Sequence, residues 1–140
     1  VFSAAEMRAR CAIMAENYCK VTRIEAVTML EMADHDILPA VSAYCDTLTE
    51  RLSHRAGRYE QETLALLSKL LDDAYDARCR LEKALEHTAG GADEHAADLY
   101  RDEVLPAMRS LREEADAMEV RMPANAWPFP SYGELLFSVK

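Results

Sequence analysis

Three features of this sequence predict an all-α fold. Gly and Pro number only 4 and 5 in 140 residues, while Ala, Leu, Glu, Arg and Met, all strong helix formers, recur throughout. Apolar side chains return at alternating steps of three and four over long stretches, the spacing of one helix face. No stretch shows the two-residue alternation of a half-buried strand. The expected architecture is an antiparallel bundle of three long helices, the first and third kinked at Pro39 and Pro106. A Pro/aromatic C-terminal tail with a short terminal helix should follow. The segments fall at 1-57, 58-90, 91-122 and 123-140 of a single helical domain.

The first helix opens on a start signal. Ser3 can cap it, Glu6 stands three residues later to close a capping box, and Phe2 can staple onto Met7. Met7, Cys11, Met14, Tyr18, Val21, Glu25, Thr28 and Met32 then form a heptad-like seam, polar at Glu25 and Thr28. A second seam of Ile37, Val41, Tyr44, Leu48 and Leu52 runs to Gly57, a candidate stop. The step from Met32 to Ile37 is five, so the seams are out of phase, and Pro39 sits at the fault. Residues 3 to 53, if one helix, would reach about 75 Å, against about 45 Å for each of the others. The N-terminal half of the first seam is therefore expected to be exposed or shared.

The second helix, about 59 to 88, keeps the rhythm through Leu64, Leu67, Leu71, Ala74, Arg78, Leu81 and Leu85 and ends at Gly90-Gly91. The third, about 93 to 121, has Asp93 as a candidate cap and a seam of Leu105, Met108, Leu111, Ala115, Met118 and Met122, stopped by Pro123. Asp36-Ile-Leu-Pro39-Ala40 is echoed by Glu103-Val-Leu-Pro106-Ala107. A proline inside a helix deletes a hydrogen bond and clashes with the preceding turn, so each copy implies a kink or a restarted helix. In the tail, Pro128 and Pro130 force an extended path at Trp127 and Phe129. Ser131 with Glu134 can cap a short helix through Leu135, Leu136 and Phe137. So many large apolar side chains in one tail require burial against something.

The net charge of -9 argues against nucleic acid or an anionic membrane as partner, because both attract basic surfaces. No apolar run approaches the roughly 20 residues that cross a bilayer, and no signal-peptide pattern opens the sequence. Cys11, Cys19, Cys45 and Cys79 lie inside helical patterns without metal-ligand spacing, so buried free thiols in a reducing cytoplasmic setting are expected. There is no glycine-rich phosphate loop, GxSxG or HExxH, and no Glu-x-x-His unit for a di-iron bundle. Glu31 and His35 stand one turn apart, but a solvated charged patch explains them. His54 and His87 lack the Lys-Gly neighbours of a phosphotransfer site. The methionines read as core filler. Two readings of Glu25 stay open: it turns outward with Ile24 rotating in, or its face meets a polar surface of another domain.

Several runs together resemble the C-terminal region of type III glutamine synthetases. They are Ile24-Glu25-Ala26-Val-Thr28-Met29 with Ile37-Leu38-Pro39-Ala40, and Tyr100 through Val104-Leu-Pro106-Ala-Met108-Arg109 with Leu111-Arg112, Asp116 and Glu119. The third is the closing Trp127-Pro128-Phe129-Pro130-Ser131-Tyr132-Gly-Glu-Leu135-Leu136-Phe137. The resemblance covers nearly the whole chain, and the tail is its most specific part. It implies a parent enzyme, a glutamate–ammonia ligase using ATP and magnesium in ring-shaped homo-oligomers. The family's nucleotide, glutamate and metal sites lie on upstream β-structure absent here, so no catalytic, cofactor or metal residue is carried over. What remains is a helical domain whose partners would be the upstream catalytic domain and neighbouring subunits. Met14, Val21, Glu25, Trp127, Phe129, Tyr132, Leu135, Leu136 and Phe137 are its candidate contact residues. A freestanding helical interaction or signalling module, with no ligase attached, is the alternative reading.

Overall fold

The computed structural model describes residues 1–130 of the chain. It is all-helical, with no strand among the described residues. The first long helix is built from α1 (Ala4–Met32), a π segment (Ala33–Ile37) and α2 (Leu38–His54). The second is α3 (Arg58–His87). The third comprises α4 (Glu94–Leu99), a second π segment (Tyr100–Val104) and α5 (Leu105–Arg121). The expected capping box closes α1: the Ser3 amide donates to Glu6 Oε2 at 3.0 Å and the Glu6 amide to Ser3 Oγ at 3.1 Å. The Arg10 guanidinium lies over the Phe2 ring, 3.8 Å from the centroid. Asp93 caps α4 as anticipated, its carboxylate accepting from the Ala96 amide at 2.8 Å.

The chain divides into two compact units. The first comprises Val1–Glu31 and Ala77–Leu111. From α1 it buries only small side chains, Cys19, Thr22 and Ala26, which allow close backbone approach. The bulk comes from Leu81 and Leu85 of α3 and from Tyr100, Val104, Met108 and Leu111. Tyr100 is fully buried and accepts a long hydrogen bond from Thr88 Oγ1 at 3.5 Å. The second unit comprises Met32–Asp76 and the chain from Arg112 on. Its core gathers Val41, Tyr44 and Leu48 of α2, Leu67 and Ala74 of α3, Met118 of α5 and Met122 just beyond its end, flanked by Trp127.

Both prolines of the sequence echo stand in the same local structure. Leu38 donates its amide to the Ala33 carbonyl and Leu105 to the Tyr100 carbonyl, five residues back in each case, and the proline follows at once. A π turn widens the helix by one residue, so the ring need not press on the carbonyl four residues earlier. It also absorbs the phase fault. In the third helix the buried positions Ala96, Tyr100, Val104, Met108 and Leu111 advance by four, four, four and three. Remove one residue from the π segment and the steps become four, three, four, three. The seam upstream of Leu105 thus runs through Val104 and Tyr100, which the sequence reading missed because it assumed an unbroken α period.

Three local expectations need correction. Gly57 does not end the first helix through a left-handed turn; Arg55 does so in extended conformation, and Gly57 makes room for the Glu60 carboxylate. Cys11 is exposed rather than buried, although all four thiols are free. The methionines split: Met108, Met118 and Met122 are core, whereas Met7 and Met14 are exposed. The expected terminal helix, with Tyr132, Leu135, Leu136 and Phe137, lies outside the described residues.

Candidate interaction surface

The heptad-like row on α1 faces out. Met14 is 70% exposed, Val21 55%, Met7 50% and Tyr18 36%, while Cys11, Glu25 and Thr28 are also exposed. The buried face of α1, through Cys19, Thr22 and Ala26, lies about 110° around the helix from this row, at 100° per residue. The helix therefore carries two faces, a narrow one of small residues turned inward and a broad one of large apolar residues turned to solvent. Scattered apolar residues on a surface are ordinary, but a row with Met7, Cys11, Met14, Tyr18 and Val21 at five successive heptad positions, all exposed, is not. Ile24, beside the row, is 67% exposed, so it does not rotate inward to replace Glu25.

Trp127 and Phe129 form a second apolar feature. Their rings meet edge to face, with centroids 6.4 Å apart at 74°. Both are half-buried, and Trp127 packs against the core of its own unit. A turn after α5 delivers it there, the amides of Ala126 and Trp127 donating to the Pro123 carbonyl at 3.0 and 3.1 Å.

Open grooves adjoin the two π-proline segments. The one beside Pro39, about 710 Å³, sets Leu38, Leu71 and Tyr75 among Asp34, Asp72 and Asp76. The one beside Pro106, about 350 Å³, is rimmed by Arg80, Lys83 and His87, with His87 Nδ1 2.8 Å from Glu103 Oε2. The repeated backbone motif thus supports surfaces of opposite charge. The buried Cys19 thiol donates to the Asp93 carbonyl at 3.9 Å; burial first, and the Asp93 charge second, push its pKa up and keep it protonated. Glu31 and His35 are exposed. Among the described residues no three His, Cys, Asp or Glu side chains converge as a metal centre.

Residues 1–55 match the family model described as the glutamine synthetase C-terminal domain. Aligned over its whole length, the chain is 32% identical to a glutamine synthetase of Butyrivibrio fibrisolvens, spanning 21% of that protein. With 99% of the chain aligned, identity is 24% to a glutamine synthetase of Bacteroides fragilis, again over 21% of its length. A type-3 glutamine synthetase of Dictyostelium discoideum is 25% identical, with 98% of this chain set against 20% of that protein. The chain therefore spans about a fifth of the length of the curated relatives it matches. No solved structure matches it. No helix among the described residues is long and apolar enough to cross a membrane. On the family model over residues 1–55 and the alignments over 98–100% of its own length, the chain belongs with the C-terminal domain of glutamine synthetases, a type-3 enzyme among them.

Proposed function

We propose that this chain is the non-catalytic helical domain of a cytoplasmic glutamate–ammonia ligase, and that it supports packing and assembly of that enzyme. The parent reaction would join ammonia to glutamate as ATP is cleaved to ADP and phosphate, with magnesium, on a catalytic region outside this chain. The exposed apolar row of α1 carries the reading. A helix that turns its large residues to solvent and its small ones to its own core is built to be covered by another protein surface. The partners would be the upstream catalytic domain and neighbouring subunits of a homo-oligomer.

A chimera tests this. In the Butyrivibrio fibrisolvens relative, deleting the segment this chain matches should leave the protein unassembled and unable to form glutamine. Inserting the present chain there should restore assembly, by light scattering, and glutamine formation. A chimera no better than the deletion overturns the proposal.

A further inference from the structure

The row on α1 has a regularity that a flat docking surface does not need. Met7, Cys11, Met14, Tyr18, Val21, Glu25, Thr28 and Met32 follow strict four-three steps over about 37 Å. An undistorted heptad stripe is complementary to another helix carrying the same stripe. We propose that α1 pairs with α1 of a second copy of this chain, antiparallel, along this row. The inference rests on the assembly role proposed above for its purpose, while its geometry stands on α1 alone.

The direction follows from Glu25. In a parallel pair each seam residue faces its own copy, so two Glu25 carboxylates would meet in the seam, a costly like-charge contact. An antiparallel pair covers the whole row in one register, in which Cys11 faces the partner's Thr28 and Tyr18 the partner's Val21. Glu25 then lies beside the partner's Met14, and Met32 beside the partner's Met7. The two Glu25 side chains are then about 16 Å apart along the axis.

The flanks select the same register. On one side of the row Arg8 is exposed, but Ala15 and Met29 are half-buried and Thr22 is buried, so that edge is closed from Ala15 onward. The open edge carries Arg10, Asn17, Ile24 and Glu31, all exposed. In the antiparallel register Arg10 comes opposite the partner's Glu31, twice by symmetry, and Asn17 opposite the partner's Ile24. A two-fold pairing thus satisfies both charged ends of the edge and covers the exposed Ile24.

The 140-residue chain itself is the test material. Sedimentation should give a concentration-dependent dimer, and Met14→Glu or Val21→Glu should abolish it while leaving the thermal midpoint of the monomer within a few degrees. Arg10→Glu should weaken dimerisation about tenfold, with Arg10→Glu/Glu31→Arg restoring it. Under oxidation, Thr28→Cys should yield a disulfide-linked dimer through native Cys11. The wild type should not link through Cys11, which lies about 25 Å from its copy in this register. A monomeric wild type, a Cys11–Cys11 dimer, or no link in Thr28→Cys would each overturn the pairing. An active chimera with a monomeric chain would sink the pairing and keep the assembly role; a dimer with an inactive chimera would do the reverse.

Discussion

Cys19 and Cys11 show how far the environment of one residue type can differ within a single helix. Cys19 is buried against the start of α4, and Cys45, half-buried, is likewise pushed up by desolvation first. Cys11 is exposed. Alkylation followed by mass mapping should label Cys11 first, with Cys19 and Cys45 far slower; labelling of Cys19 as fast as Cys11 would contradict this. The raised pKa values also set a pH dependence. The fold favours the neutral thiol, so this contribution is fully present below the unfolded thiol value of about 8.5 and is lost as pH rises through the folded values. The thermal midpoint should therefore fall between pH 8 and 10, and less so in Cys19→Ala. Ala89 offers a second test. It follows α3 with φ of 50°, and Gly90 continues at 71°. A left-handed conformation costs an L-residue about 1–2 kcal/mol, partly offset by the flexibility glycine adds to the unfolded chain. Ala89→Gly should raise stability by about 0.5–1 kcal/mol in denaturant titration, and a destabilised variant would mean that the turn is not as described.

At the scale of elements, the π segments explain why the helices were legible and their faces only partly so. Three helices and both of the caps at Ser3 and Asp93 follow from local chemistry that sequence displays directly. The five-residue step from Met32 to Ile37 was visible as a phase fault, yet its resolution by a π turn depends on packing on both sides of the fault. In the third helix the fault was hidden, because Leu105 suits an α period better than the buried Val104. Deletion tests this account. Removing Asp36 together with Pro39→Ala should convert the first π segment to α-helix while keeping Ala26 and Val41 on the core side. Removing Ser42 from α2 should rotate the faces by about 100° and unfold the chain. Circular dichroism and thermal melts on the two deletions decide it: equal damage would mean that the extra residue is not what the π turn absorbs. Pro39 and Pro106 also remain the places where a bend of each helix is expected, since π turns and prolines are both established causes of kinks.

For the whole molecule, the candidate surface was readable where its pattern was local and unreadable where its meaning was not. Periodicity located the α1 row, and the surplus length of the first helix indicated exposure. Which of its two stripes turns inward was not written in either, because small residues win the inside by allowing close approach while large ones dominate a hydropathy scale. The tail poses the same question in a sharper form. Trp127 was expected to dock in a groove of its own chain or of another, and it packs on the core of the unit formed by α2, the first half of α3 and the end of α5. Phe129 meets it edge to face. Pro128 and Pro130 restrict the chain before docking, which reduces the entropy lost when the rings settle. Full truncation of a well-packed large aromatic costs about 3–5 kcal/mol, and half-burial here brings the expectation for Trp127→Ala to about 1–3 kcal/mol. Deleting residues 127 to 140 should lower the thermal midpoint at least as much. Since Trp127 is the sole tryptophan, its emission reports the contact without a label, and it should be blue-shifted in the folded chain and move red on unfolding. Solvent-like emission in the folded chain, with no loss of stability on either change, would place the tail's partner on another protein surface.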